Sequence, residues 1–326
     1  MTKVAVVILN YNGKKFLEEF LPSVINHTDG YEIIIADNAS TDDSVAFLKA
    51  SYPSVRTIQL SNNQGFAGGY NAALKSIEAE YYVLLNSDVE VSTNWIRPII
   101  DLMESDISIA ACQPKIRSYH QKTHFEYAGA AGGYIDWLGY PFCRGRVFDS
   151  YEEDKAQYDD SQEIFWATGA CMFVRAKVFH ELGGFDANFF AHMEEIDLCW
   201  RMKNAGYRIM YHAASVVYHV GGGTLHKSNP RKTFLNYRNG LAMLYKNLPS
   251  NKLFSTILLR LILDGVSGIK LLLDGSFADF LAVIKAHFAF YAMIPKLERK
   301  APKQVNHIYQ KSIVWEYFVK KQKPTI

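Results

Sequence analysis

Cysteine is scarce in this 326-residue chain. Its four cysteines, Cys112, Cys143, Cys171 and Cys199, lie far apart with no CxxC or finger spacing, which argues against a disulfide framework or a structural zinc site and fits a reducing compartment. A dominant charge is missing too. With 35 Lys and Arg against 33 Asp and Glu, the formal net charge is +2 and the sequence pI about 8.2, so no global field points to nucleic acid and partners have to be read locally. No uninterrupted apolar run reaches the roughly 18 to 20 residues that a spanning helix needs. The first such run, Val4 to Leu9, has no cleavage region behind it and suits a buried strand better than the core of a secretion signal. The chain is therefore expected to be cytoplasmic, either soluble or peripheral at the inner face of the cell membrane. Internal repeats and low-complexity linkers are also absent. Apolar material is plentiful: 49% hydrophobic and 14% aromatic content is enough for one large core, or one core plus an appendage.

The first hundred residues alternate short β-branched runs with helical stretches. Strands are expected over Val4 to Leu9, Glu32 to Ala36, Val55 to Leu60 and Tyr81 to Leu85, and helices over Lys14 to Asn26, Asp43 to Ser51 and Tyr70 to Ile77. The turns between them are polar or glycine-rich, notably Asn10-Tyr11-Asn12-Gly13, Asp37 to Asp42, Asn62 to Gly69 and Asn86-Ser87-Asp88. This alternation predicts an α/β fold with an open, mostly parallel sheet, which binds ligands beyond the carboxyl ends of its strands. From about 112 to 165 the pattern blurs, and loops and irregular strands are expected. Regularity returns with a strand at Cys171 to Arg175, a helix at Ala176 to Leu182, a helix from about Met193 to Ala205, and strands at Arg208 to Tyr211 and Val216 to Tyr218. Beyond residue 246 come apolar helical stretches, Phe254 to Leu263, Ile269 to Leu273 and Phe280 to Ile294, followed by a lysine-rich end. This suits either the cytoplasmic membrane surface or a helical subdomain packed on the body or on a partner subunit. The expected division is thus 1–245 and 246–326.

Two constellations could do chemistry. Asp88 ends an apolar strand, where a carboxylate can hold a divalent ion beside a diphosphate leaving group; by itself, Asn-Ser-Asp more often marks a turn. In Phe189 to Arg201, three acids crowd the first turn of a helix. At helical spacing Asp197 and Arg201 can pair at i, i+4, whereas Glu195 points about 100° away from them and is the freer carboxylate. A solvated acidic first turn is the plain alternative, but the two aromatics just before it, Phe189 and Phe190, weigh against plain solvation.

In this order, Val7 to Asn12, Asp37 to Asp42, Asn63 to Ala67 with Asn71, Leu85 to Asp88, Gly184 to Asp186, the acidic helix and His219 resemble a family 2 glycosyltransferase of the GT-A fold. The likeness is to the rhamnosyltransferase-like branch of cell-envelope polysaccharide biosynthesis and covers roughly residues 3 to 240. The resemblance implies that Asn10, Tyr11 and Asn12, with Asp37 and Asn38, hold the nucleoside, and that Gly65 and Asn71 belong to the nucleotide-binding loop and its helix. Asn86-Ser87-Asp88 stands where the family has its DXD-type motif. Asp88 would be the metal ligand, with His219 as its partner before Gly221-Gly222-Gly223, while Asn86 and Ser87 would contact the sugar or ribose. Gly169 would let backbone approach the sugar, and Arg238 would hold a phosphate or form a buried ion pair. The family's helix opens with Glu-Asp, whose second acid is the catalytic base. Here the pair is Glu194-Glu195, which leaves the base open between Glu195, preferred, and Glu194.

The implied activity is inverting transfer from a nucleotide sugar, dTDP-rhamnose or a UDP-hexose, to a hydroxyl of a glycan or lipid-linked glycan, assisted by Mg2+ or Mn2+. Two other enzyme classes fall away. The first turn is Asn-Tyr-Asn-Gly rather than G-x-G-x-x-G, against a dinucleotide oxidoreductase, and no basic glycine-rich loop stands near the N-terminus, against a nucleotidyltransferase. A catalytically degenerate, membrane-peripheral scaffold is the non-enzymatic alternative.

Overall fold

A parallel strand buried on both faces reads as a nearly continuous apolar run, and the first strand, β1 (Thr2–Asn10), is one. Its Ala5 and Val7 belong to the core on one side of the sheet, Val4, Val6 and Ile8 to the core on the other. The computed structural model describes residues 2–221, 229–300, 302–303 and 305–324; Gly222 and Gly223 of the expected glycine loop lie outside them.

After β1 come α1 (Lys14–His27), β2 (Glu32–Asp37), α2 (Ser44–Ser51), β3 (Arg56–Gln59), α3 (Gly65–Leu74), β4 (Ala79–Asn86), β5 (Val89–Val91), α4 (Arg97–Ser105) and β6 (Ile109–Ser118). Short strands β7 (Gly133–Ile135), β8 (Pro141–Cys143), β9 (Arg146–Val147) and β10 (Ser150–Tyr151) form a separate antiparallel sheet. The main sheet is completed by β11 (Ser161–Ile164), β12 (Cys171–Arg175) and β13 (Arg208–His219), with α5 (Ala176–Glu181) and α6 (Glu194–Asn204) between the last two. Its order is β11-β13-β6-β12-β4-β1-β2-β3, with β5 on β13. The run β4-β1-β2-β3 is parallel, β13 also runs parallel to β6, and β12 is antiparallel to both its neighbours. The sheet is the mixed, mostly parallel α/β sheet expected of a GT-A fold. Helices α1, α2 and α4 cover one face; α3, α5, α6 and α7 (Pro230–Asn247) cover the other. Helices α8 (Ser250–Leu273) and α9 (Phe277–Met293) follow as a C-terminal helical extension.

The structure corrects the blurred stretch. β6 is a ten-residue strand in mid-sheet, hidden in sequence because Gln113, Pro114, Lys115 and Arg117 interrupt its apolar character. Buried Lys115 is tolerated there because Asp154 meets its Nζ at 2.9 Å, in line with the rule that buried charges are paired. The helix expected to begin at Tyr70 begins at Gly65 instead. Its first N–H groups, those of Phe66 and Ala67, donate to the Phe190 carbonyl at 2.7 and 3.2 Å, a cap brought from far along the chain. The stretches Phe254 to Leu263 and Ile269 to Leu273 are one helix, α8, and Arg208 to His219 is one strand with a register irregularity between His212 and Val216.

One helical stretch, Phe277–Lys296, is long and apolar enough to cross a membrane by length and composition, at a mean hydropathy of 1.5. Asp279 and Lys285 interrupt it, so it escapes a search for unbroken apolar runs.

Candidate active site

The polar turns at the carboxyl ends of β1, β2 and β4 converge, and their side chains largely hold one another. Buried Asn10 donates from Nδ2 to Asp37 Oδ1 at 3.0 Å and to Ser40 Oγ at 3.1 Å. Asn12, at φ +51°, accepts from the Thr41 N–H at 2.7 Å. Asn38 donates to the Gly65 carbonyl at 2.9 Å and accepts from Gln64 N–H at 3.0 Å. Tyr11 stands exposed beside them, 42% open. Asn71 spends its whole amide on Phe185, donating to its carbonyl at 2.7 Å and accepting from its N–H at 3.0 Å. Gly169 packs on the Phe66 ring. Asn86 N–H donates to the Ala170 carbonyl at 3.0 Å, and Asn86 and Ser87 are partly exposed.

Asp88 and His219, 131 positions apart, meet: Oδ1 lies 3.2 Å from Nε2, and both side chains are buried. Strand β5 sets this, because it pairs Val89 with His219 directly. The other imidazole nitrogen, Nδ1, lies 3.0 Å from Glu126 Oε2. Glu126 carries no motif and was missed by the sequence reading. Its place is shaped by Gly221, at φ +73°, where a Cβ would collide with Glu126 Oε1. Burial opposes charge on all three groups. Even so, the two carboxylates hold the imidazole well above its usual pKa, and His219 holds Asp88 and Glu126 below theirs.

Charged in this way, His219 donates toward both carboxylates and offers no lone pair, so a divalent ion would bind here only by displacing the Nε2 proton. It would then meet a carboxylate oxygen and an imidazole nitrogen, with the second carboxylate on the far ring nitrogen orienting the imidazole. Among the described residues no group of three or more His, Cys, Asp and Glu could hold an ion. The remaining positions would fall to substrate oxygens and water, as Mg2+ usually has them.

The acidic helix α6 starts from an unusual loop. Phe190, His192 and Met193 all have positive φ, at 66°, 70° and 72°, a conformation that non-glycine side chains adopt only when the surroundings enforce it. Asn239 supplies the enforcement: its Nδ2 reaches the carbonyls of Phe189, Ala191 and His192 at 3.0, 2.9 and 2.7 Å. Arg238 donates to the carbonyls of Asn188 and Phe189 at 3.1 and 3.0 Å, so its guanidinium clamps this loop and, among the described residues, stands in no ion pair with a carboxylate. The loop also presses on α3, since a Cβ at Gly65 would lie 2.5 Å from the Phe190 carbonyl oxygen.

At the head of α6 the acids divide into two roles. Asp197 is fully buried, bound by Arg201 Nε and Lys246 Nζ, each at 2.8 Å, and by the Asn247 amide at 2.8 Å. These partners overcome burial and lower its pKa, so it anchors α6 to α7. Glu194 and Glu195 each keep one buried carboxylate oxygen, Oε2, without a partner among the described residues. Burial pushes Glu195 up to about 7; burial, then Glu195 and Asp197, push Glu194 well above the usual range. The Phe190 carbonyl just before α6 accepts from the Phe66 N–H at 2.7 Å, Gly169 packs on the Phe66 ring, and the next residue, Ala170, accepts from Asn86, two positions before Asp88. One run of contacts therefore joins the head of α6 to the candidate metal pair. Nearby His192 is lowered to about 4 by burial and then by Lys232, and its Nε2 is buried without a partner among the described residues.

Residues 5–183 match the family described as "Glycosyl transferase family 2". The chain is 26% identical over 236 residues to N-acetylglucosaminyl-diphospho-decaprenol L-rhamnosyltransferase of Mycobacterium tuberculosis, covering 67% of this chain and 76% of that protein. In fold it is similar to GalNAc-T7, whose structure holds UDP, GalNAc and Mn2+, at a TM-score of 0.59 and 17% identity. That match covers 77% of this chain, which spans only 49% of that one. It is also similar to a mannosyltransferase of Pyrobaculum calidifontis in complex with GDP-Man and Mn2+, at a TM-score of 0.53 and 14% identity, covering 89% and 87% of the two chains.

Proposed function

This chain belongs to glycosyl transferase family 2, and from that premise we propose that it is a metal-assisted, inverting glycosyltransferase. In this reading it moves rhamnose from dTDP-rhamnose, or a hexose from a UDP-hexose, to a hydroxyl of a glycan or lipid-linked glycan in cell-surface polysaccharide synthesis. Residues 1–245 perform the transfer and 246–326 form an apolar and basic extension. The observation that carries the reading is the pairing of two features joined by that run of contacts: the buried Asp88–His219 contact oriented by Glu126, and a raised Glu195 carboxyl with an unpartnered oxygen.

The turn of Asn10, Tyr11 and Asn12, with Asp37 and Asn38, flanks the nucleoside, and Asn86 and Ser87 flank the sugar. Asp88 and His219 would hold a divalent ion, which would supply positive charge beside the departing diphosphate. Glu195 accepts the proton of the acceptor hydroxyl. That oxygen forms its bond to the anomeric carbon while the bond from that carbon to the diphosphate breaks, and the nucleoside diphosphate leaves with the electron pair. Attack from the face opposite the leaving group inverts the configuration. A base near pKa 7 suits this work, since it is substantially ionised at neutral pH yet basic enough to take the proton. Glu194, buried beside it, is pushed up first by burial and then by Glu195, so it is the harder of the two to ionise. The loop clamped by Asn239 and Arg238 keeps both acids in place.

The test is a donor screen by mass spectrometry with Mn2+ or Mg2+ and a lipid-linked glycan acceptor. Transfer from one donor, lost in Asp88→Ala, is expected. Metal-independent behaviour unchanged by Asp88→Ala would refute the reading.

A further inference from the structure

Helix α8 is built inside out. Its buried positions are Thr256, Arg260, Asp264 and Gly268, whereas Phe254, Leu258, Ile262, Val266, Ile269 and Leu273 are exposed, Phe254 by 80% and Leu273 by 81%. The exposed set recurs every three or four residues and forms one stripe about 28 Å long by the helical rise. The polar side is bound by the protein body. Arg260 donates to the Leu138 carbonyl at 2.8 Å, lies 3.8 Å over the Tyr140 ring and pairs with Asp264 at 3.4 Å; Asp264 also accepts from the Tyr140 hydroxyl at 3.2 Å. In water the hydrophobic effect turns a helix the other way, apolar stripe inward. Charged groups facing the protein and Leu, Ile and Phe facing out is the arrangement an apolar solvent selects. Helix α9 continues the surface with exposed Phe277, Ile284, Phe288 and Tyr291.

We propose that the outer face of α8 and α9 docks on an anionic phospholipid surface. Charge selects this occupant. Residues 246–326 carry thirteen Lys and Arg against five Asp and Glu, a net +8, although the whole chain carries +2, so the remainder is at −6. Lys252, Lys270, Lys285, Lys296 and Lys300 are exposed on or just after the two helices, where their stems can lie along the apolar face while the ammonium groups reach phosphates. A second copy of the chain would bring two such positive faces together and be repelled. The helices lie on the membrane rather than crossing it, because α9 stays fastened to the body. Its Ala282, Val283, Ala286, Phe290 and Met293 are buried, and Asp279 accepts from Thr233 of α7 at 2.6 Å. The geometry is that of an interfacial helix pair.

Flotation of the full chain with vesicles tests this without using sugar transfer, so its outcome is separate from that of the enzymatic reading. The protein is expected to float with phosphatidylcholine–phosphatidylglycerol vesicles and to float poorly with phosphatidylcholine alone. The triple variant Leu258→Glu, Ile262→Glu, Val266→Glu should lose roughly tenfold or more of the bound fraction with an unchanged thermal unfolding curve. Should that variant misfold, Ile262→Trp replaces it, and its added fluorescence should shift to the blue with anionic vesicles. The proposal fails if the wild type stays unbound with anionic vesicles, if the triple variant floats as well as the wild type, or if the added emission of the Ile262→Trp variant is indifferent to lipid. It fails equally if sedimentation shows a dimer that the triple variant splits, which would assign the face to a second copy.

Discussion

Glu126 Oε2 stands 3.0 Å from His219 Nδ1, on the side of the imidazole away from Asp88. The bond fixes the ring orientation and leaves Nε2 facing Asp88, so Glu126 acts on the proposed metal through His219. Glu126→Gln is expected to weaken Mn2+ affinity roughly 10- to 100-fold, the usual effect of removing such a support. Titrating Mn2+ against donor turnover and by calorimetry checks it, and an unchanged affinity would deny Glu126 this role.

Glu195 and Glu194 are separable by their amides. Glu195→Gln should lower kcat by roughly 10²- to 10⁴-fold while donor binding, followed by calorimetry, is retained. Glu194→Gln should cost much less. The reverse ranking would assign the proton-accepting role to Glu194.

The raised carboxyls make the rate and the stability depend on pH in opposite senses. With Glu195 near 7, the rate of transfer should fall about tenfold per pH unit below that value as the base becomes protonated. Folding favours the protonated forms of this pair. Their contribution to stability is therefore complete below the ordinary glutamate value of 4.5 and is lost as the pH rises through about 7. Glu194→Gln removes one buried charge, so its Tm should exceed that of the wild type at alkaline pH and converge with it in acid. Thermal unfolding across the range measures both.

Asn239 binds three carbonyls of a loop whose residues stand in left-handed conformation. Asn239→Ala should cost about 1–3 kcal/mol for the groups left unpaired and should lower kcat more than donor affinity, because the loop opens α6. Urea unfolding and steady-state kinetics give the two numbers.

Much of this was legible in the chain itself. The alternation of Val4 to Leu9, Glu32 to Ala36 and Tyr81 to Leu85 with helical stretches revealed the parallel half of the sheet, because buried parallel strands leave near-continuous apolar runs. The same logic hid β6, whose Lys115 and Arg117 are neutralised by Asp154 from a distant loop. Asp88, His219 and the acidic helix were visible as motifs. Glu126 carried no motif, and what Glu126 and Asn239 do depends on partners 93 and about 50 residues away. Asn71, singled out for the nucleotide loop and its helix, is bonded to the Phe185 backbone, a contact that spacing along the chain does not record.

The sequence by itself determined the family, the order of strands and helices from β1 to β4, and the identity of the acids at the head of α6. These follow from periodicity and local turn chemistry, which act over a few residues. Only the tertiary structure decided what each polar group faces: that His219 lies between two carboxylates, that Asp197 is an anchor while Glu195 keeps an unpartnered oxygen, and that α8 turns Arg260 and Asp264 inward and Leu258, Ile262 and Val266 out. Each of these depends on which distant surfaces meet when the chain closes, and burial, pairing and pKa belong to that meeting rather than to any residue alone.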